Sequence, residues 1–305
     1  VAERLAGSLQ SPAVPVKSRG NTGMKIAGVQ MDVSIGQVDA NLEKMAAFVR
    51  RTTRDGAVLT VFPECAATGY CFNDLAEARS VASTVPGPVT DAMTRACNSV
   101  DSFAVFGMVE ADGDRVFNSA VLVGPSGVVG CYRKIHLPFL GLDQLSTPGD
   151  RPFAVHDAGG LRVGMNICYD AAFPEAARSL ALLGADVIVL PTNWPPGSEC
   201  TAACCINARA LENGVYYLAV NRVGTERGFR FIGSSRACDP LGNSLATASG
   251  SDEEVLYLDV DVERARNKHY VRVPGKHEID RFADRRPEMY TSLTKPHGLK
   301  HPARK

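Results

Sequence analysis

Charge of one sign is missing from this chain in any excess. Lysine plus arginine number 33 and aspartate plus glutamate number 33 among 305 residues, so nothing in the balance points to a nucleic acid or an anionic membrane as partner. A small neutral molecule is the simpler expectation. The nine cysteines contain no C-x-x-C pair and lack the short, regular spacing of secreted disulfide frameworks, which fits reduced thiols in a cytoplasm. His136, His156, His269, His277, His297 and His301 do not fall near cysteines at zinc-ligand spacing, so no structural metal is expected. Long apolar runs are absent too. No segment approaches the length of a membrane span, and the first 23 residues hold no apolar core of the signal-peptide kind. They are rich in Ser, Pro and Gly and read as a flexible N-terminal extension ahead of Met24.

What is present is a core. With 45% hydrophobic residues the chain can fill one large α/β domain. "KIAGVQMD" (25–32) has the character of a buried strand, "NLEKMAAFVRRTTRDG" (41–56) of a helix stopped at Gly56, and "AVLTVFPE" (57–64) of a second strand. That order implies a parallel pair joined by a crossover helix. It recurs in "LRVGMNICYD" (161–170), "FPEAARSLALLGAD" (173–186) and "VIVLPTNWP" (187–195), so two similar halves are expected. Residues 101–110, 115–138 and 151–156 supply further strands, with "PSG" as a hairpin turn. "NARALENG" (207–214) closes a helix at Gly214, 215–224 is a strand, and 234–248 is a hairpin. No linker divides the pattern, which predicts one domain over 24–262. The polar segment 263–305 is expected to pack on that domain or on a partner subunit.

Reactive side chains in open α/β sheets gather at the carboxyl ends of strands. Glu64, Lys134, Cys168 and Asn193 all sit at such ends. At a strand-to-helix turn, free N–H groups and the helix dipole favour a thiolate at Cys168. Position alone leaves Cys168 open between nucleophile and buried small hydrophobe. Glu64, at the end of an apolar strand, is either a general base with a raised pKa or a solvated loop carboxylate. Lys134 by itself reads as a surface charge, and Glu110 as a second carboxylate on the same rim or a structural hydrogen-bonding group.

Taken together, "FPECAATGY", "YRKIHLPF" and "GMNICYDAAFPEAAR" resemble the Glu, Lys and Cys blocks of the nitrilase, or carbon–nitrogen hydrolase, superfamily. "GADVIVLPTNWP", "NARALENGVYYLAVNRVG" and "DRRPEMY" extend the resemblance over about residues 24 to 290. It implies a four-layer αββα sandwich of two mixed sheets, assembly as a homodimer or higher homo-oligomer, and no metal or organic cofactor. It implies an amidase or carbamoylase chemistry in which Glu64 deprotonates Cys168, the thiolate attacks the carbon of a non-peptide C–N bond, and Lys134 with the Tyr169 N–H holds the oxyanion. Many such amidases carry a further glutamate after the lysine. Here "PFLGLDQLSTPGD" has none, and Asp143 is the candidate for a fourth catalytic group. Tyr70, Tyr169, Asn193 and Trp194 are candidates for lining the substrate pocket, Trp194 equally for core packing. Arg209 and Glu212 are expected to be structural. "CYD" without a following Trp-Glu pair favours a small amide or N-carbamoyl compound as substrate; nitrile hydrolysis and a catalytically silent binding relative are the alternatives.

Overall fold

A computed structural model describes residues 23–300 of the chain, so the extension expected before Met24 lies almost wholly outside the described residues. Two six-stranded sheets form the body. The first is built from β1 (Met24–Gln30), β2 (Leu59–Val61), β3 (Phe103–Asp112), β4 (Arg115–Gly124) and β5 (Gly127–Arg133). The second contains β6 (Val155–Ala158), β7 (Leu161–Met165), β8 (Val187–Pro191) and β9 (Tyr216–Val220). A small hairpin, β10 (Thr225–Glu226) and β11 (Phe229–Arg230), precedes β12 (Arg236–Cys238) and β13 (Ser244–Thr247), which complete the second sheet; β14 (Glu254–Val260) returns to the first. Strand orders are β14-β1-β2-β3-β4-β5 and β13-β12-β9-β8-β7-β6. β1, β2 and β3 are parallel, as are β7, β8 and β9. The remaining pairs in both sheets are antiparallel.

Period-two alternation decides what each face of the first sheet covers. Val105, Ala120 and Leu122 point inward to meet the second sheet, with Val163, Met165, Leu218 and Val220 in the same core. Phe106, Met108, Val121 and Val123 point outward onto α1 (Val38–Arg54) and α3 (Pro88–Asn98), where Met45, Val49, Met93 and Cys97 cover them. A short α2 (Leu75–Ser80) precedes α3. The second sheet is covered by α4 (Pro174–Leu182) and α5 (Ile206–Asn213), through Leu180, Ile206 and Ala210. The result is the αββα sandwich. Gly214 caps α5 in the left-handed region at φ 58°, as its place after "NARALEN" predicts.

Sequence pattern missed α3 and β14. The strands are also shorter than the apolar runs that marked them: β2 ends at Val61 and β7 at Met165. The residues beyond leave the ladder to become the loops that hold the polar side chains. Beyond β14 come α6 (Val262–Arg266), then the hairpin of β15 (His269–Val273) and β16 (His277–Asp280), and two 3-10 turns at Pro287–Met289 and Thr291–Thr294.

One glycine ties the fold to the rim. A Cβ on Gly107 of β3 would lie 2.1 Å from the Cys65 amide nitrogen, and the Gly107 N–H donates to the Pro63 carbonyl at 3.1 Å. Gly107→Ala is therefore expected to cost about 1–3 kcal/mol of stability and to push Glu64 out of place. A thermal melt checks the first effect and an activity assay on the folded fraction the second; an unchanged melting temperature would contradict the packing.

Candidate active site

β5 runs in the direction of β3 after two antiparallel reversals, so β2, β5, β7 and β8 deliver their carboxyl ends to a common rim. Glu64 lies three residues past β2, Lys134 directly past β5, Cys168 three residues past β7 and Asn193 two past β8. All four are buried.

Lys134 Nζ sits 2.8 Å from Glu64 Oε1 and 2.6 Å from Asp143 Oδ2. Asn118 Nδ2, from the middle of β4, donates to both carboxylates, at 2.7 Å to Glu64 Oε1 and 2.9 Å to Asp143 Oδ1. The Tyr70 hydroxyl donates toward Asp143 Oδ2 at 2.9 Å. Burial acts on each charge. It would strip the proton from Lys134, but the carboxylates of Asp143 and Glu64 outweigh it and hold the ammonium well above its usual pKa. Glu64 is pushed up by burial, against the pull of Lys134 and with the push of Asp143. Burial, then Asp143 and Glu64, keep the Tyr70 phenol protonated.

Cys168 opens a 3-10 turn, Cys168–Ala172, with φ 46°, a left-handed conformation that costs a non-glycine residue about 1–2 kcal/mol. The surroundings hold it there. Asp170 Oδ2 accepts the Ile167 N–H and the Tyr132 hydroxyl, both at 2.8 Å, and its Oδ1 lies 2.7 Å from His136 Nδ1. From the other side, Arg209 Nε donates to the Ala171 carbonyl at 3.0 Å and the Cys205 thiol reaches it at 3.1 Å. Arg209 is in turn paired with Glu212 at 2.9 Å. These two residues therefore brace the turn, as expected of them.

The expected thiolate is not what burial allows in the resting protein. The Cys168 thiol is pushed up to about 12, by burial first and then by Glu64, while Lys134, the Thr192 side chain and the Asn193 backbone pull the other way. Desolvation exceeds the help available from a five-residue turn, so Cys168 rests as a thiol and needs a base. Glu64 and Lys134 both act electrostatically on this sulfur, so the three blocks named from sequence converge. Glu64 spends only Oε1 on Lys134 and Asn118; its Oε2 is buried with no hydrogen-bond partner among the described residues. A carboxylate oxygen left open there can take a proton.

Asn166, just past β7, and Asn193, past β8, carry buried unpartnered atoms as well: Oδ1 of Asn166, and both Nδ2 and Oδ1 of Asn193. Orphaned polar groups at one rim are what a polar ligand or water would satisfy. The other candidates divide. Tyr70 is built into the charged cluster. Trp194 is in the hydrophobic core, its backbone N–H donating to Asn221 Oδ1 at 2.8 Å. Tyr169 is exposed, edge-on to Phe173, which stacks on His136 at 3.7 Å between ring centroids. Glu110 has the structural role: Arg133 Nε lies 3.1 Å from both of its oxygens and the Ser119 hydroxyl 2.6 Å away. Sequence reasoning missed Asn118, Asp170 and Tyr132. Asn118 and Ser119 are adjacent polar residues inside an otherwise apolar strand, and that interruption of "VFNSAVLV" was the available signal. Among the described residues no group of three or more His, Cys, Asp or Glu is arranged to hold a metal ion, and no helix is long and apolar enough to cross a membrane.

Residues 25–270 match the family described as carbon–nitrogen hydrolase. A nitrilase of Pyrococcus abyssi is 41% identical over 268 residues, which is 88% of this chain and 99% of that protein. An (R)-stereoselective amidase of a Pseudomonas species is 37% identical over 251 residues, covering 81% of this chain and 89% of its own. In three dimensions the chain overlays an amidase from a Nesterenkonia species with a TM-score of 0.75 at 23% identity, covering 90% of this chain and 98% of that one; the two share a fold.

Proposed function

Since the chain belongs to the carbon–nitrogen hydrolase family and is a thiol-dependent hydrolase of non-peptide C–N bonds, we propose that Cys168 is its nucleophile, Glu64 its base and Lys134 its oxyanion partner. The observation that carries this reading is the open, buried Oε2 of Glu64 beside a sulfur whose resting state is protonated.

Glu64 Oε2 takes the thiol proton as the sulfur bonds to the amide carbon. The carbonyl oxygen becomes an oxyanion. Lys134 has three N–H bonds and commits two of them, to Glu64 and Asp143; the third faces the developing charge, together with the Tyr169 N–H. Glu64 passes its proton to the departing nitrogen, ammonia leaves, and a thioester remains on Cys168. A water then gives its proton to Glu64 and its oxygen to the acyl carbon, and the released thiolate recovers the proton. Asp143 completes the set as the residue that keeps Lys134 charged and aimed. Asn193, with both ends of its amide unpartnered, is suited to hold the polar part of the substrate; Tyr169 stands at the mouth, and Tyr70 and Trp194 shape the wall.

The substrate class proposed is a small amide or N-carbamoyl compound, a choice the amidase relative supports. Residues 24–262 are taken as the hydrolase domain and the segment that follows as packing on it or on a partner subunit. Exposed Leu182 at the end of α4, which shares a surface groove with exposed Leu293 of the tail, and exposed Leu183 and Leu211 support a homodimer or larger homo-oligomer, and nine free cysteines support a cytoplasmic setting. The test is a panel of small amides, ureido acids and nitriles read by released ammonia, with mass spectrometry of the trapped enzyme. Ammonia from amides and an acyl mass on the Cys168 peptide are expected. Turnover of nitriles alone would move the assignment to a nitrilase, and no turnover with no adduct to a silent binding relative.

A further inference from the structure

Arg222 is the largest of the fully buried side chains, and nothing in the chemistry above uses it. It follows β9, and its guanidinium lies over the Phe231 ring at 4.3 Å. Nη2 donates to the Val33 carbonyl at 2.7 Å and to Asp32 Oδ1 at 3.1 Å; Nη1 donates to Glu226 Oε2 at 2.7 Å. Glu226, on the β10–β11 hairpin, is buried as well. Its other oxygen, Oε1, accepts two consecutive backbone N–H groups, Tyr70 at 2.8 Å and Cys71 at 2.6 Å.

Two successive amides on one carboxylate oxygen fix the direction of the chain, and charge-assisted bonds of this kind are about twice as strong as neutral ones. The residue so fixed is Tyr70. Its hydroxyl lies 3.0 Å from the Leu140 carbonyl and 2.9 Å from Asp143 Oδ2, and its ring fills the space where a Cβ on Gly141 would come within 2.3 Å. The ring therefore grips both the loop that carries Asp143 and the carboxylate that holds Lys134. An unbroken chain of contacts runs from Arg222 through Glu226, the Tyr70 backbone, the Tyr70 hydroxyl and Asp143 to the Lys134 ammonium.

We propose that Glu226, clamped by Arg222, is a positioning residue for the catalytic ammonium and acts through Tyr70 and Asp143. Neither Glu226 nor Arg222 touches reacting atoms. The proposal rests on the catalytic reading of Lys134. Its chemistry explains why a carboxylate is required: one oxygen must take two N–H donors while the other pairs with a fully buried guanidinium. Glutamine keeps the first acceptor and turns its N–H₂ toward Arg222, donor against donor.

The experiment is a double-mutant cycle of Glu226→Gln and Tyr70→Phe, with kcat, KM and the pH profile of kcat/KM measured on protein whose folded fraction is set by circular dichroism. Tyr70→Phe removes the hydroxyl and keeps the ring. Each single change is expected to lower kcat about 10- to 100-fold, the scale of a small misplacement near the reacting atoms, with KM moving less and the pH profile displaced because Lys134 is ion-paired with Glu64. Because Glu226 acts through Tyr70, the double variant should be no slower than the slower single. Asp186→Asn, which loosens the Asp186 contact to Arg266 at the opposite rim, is the control for an equally destabilising change and should leave kcat in place. Multiplicative effects, or a Glu226→Gln enzyme within twofold of wild type, would overturn the proposal. Failure of the catalytic reading is distinguishable, because wild-type enzyme would then release no ammonia and acquire no Cys168 adduct.

Discussion

Cys168→Ala yields a folded protein that releases no ammonia from any amide the wild type cleaves. The change removes one sulfur atom from a site already closed to solvent, where Cys168 is 7% exposed. The stability cost of so small a cavity is about 1 kcal/mol or less, and alanine carries the same backbone strain in the turn as cysteine. What is lost is the covalent route itself. Without a thioester there is no way to split amide hydrolysis into two easier displacements, and removal of a nucleophile typically costs on the order of 10⁵- to 10⁶-fold in kcat. Far-ultraviolet circular dichroism and the melting temperature should match wild type, the acyl adduct should vanish from the mass spectrum, and substrate binding should persist. Full turnover by this variant, or an adduct on Cys65 or Cys71, would sink the assignment of the nucleophile.

Glu64→Gln should lower kcat/KM by about 10²- to 10⁴-fold, the usual worth of a positioned acid–base group. Glutamine can still accept from Lys134 and Asn118 through its one remaining oxygen, and Lys134 keeps Asp143. The scaffold of the site thus survives. The nitrogen that replaces Oε2 cannot take a proton, so the thiol that burial has pushed up to about 12 stays protonated. In wild type the rising limb of kcat/KM with pH is expected to follow ionisation of the Glu64 carboxyl. Burial raises that carboxyl, so activity should be lost on acidification at a pH above the ordinary carboxylate range. The Gln variant should lack that limb. Retention of more than a tenth of wild-type activity would assign the base elsewhere.

The residues that were legible in the sequence share one property. Glu64, Lys134 and Cys168 each interrupt or terminate an apolar run, and a polar group placed there must be paired or used. The sandwich was legible for a related reason, because strand–helix–strand order appears twice. The partners were not. Asn118 meets Glu64 and Asp143 across 54 and 25 residues of chain, and Glu226 meets Tyr70 across 156; no local pattern encodes such pairs. β14 escaped because "EVLYLDV" places Glu254 and Asp259 in an edge strand, with Asp259 exposed while Leu256, Leu258 and Val260 are buried. The thiolate expected at Cys168 shows a different failure. A helix-end argument gives the sign of one effect, and only the packed structure reveals that desolvation is larger.

The pairing of β1 with β14 has a bearing on how the chain is born. Met24 lies opposite Val260 and Gln30 opposite Glu254, so the first of the described strands to be made waits for the last strand of the two sheets. Until some 230 further residues have been synthesised, β1 presents a bare hydrogen-bonding margin on an almost wholly apolar strand. That margin stays open to clumping until β14 is made, and a chain halted before residue 254 would carry every group of the Glu64, Lys134 and Cys168 cluster on a first sheet that lacks its β14 edge.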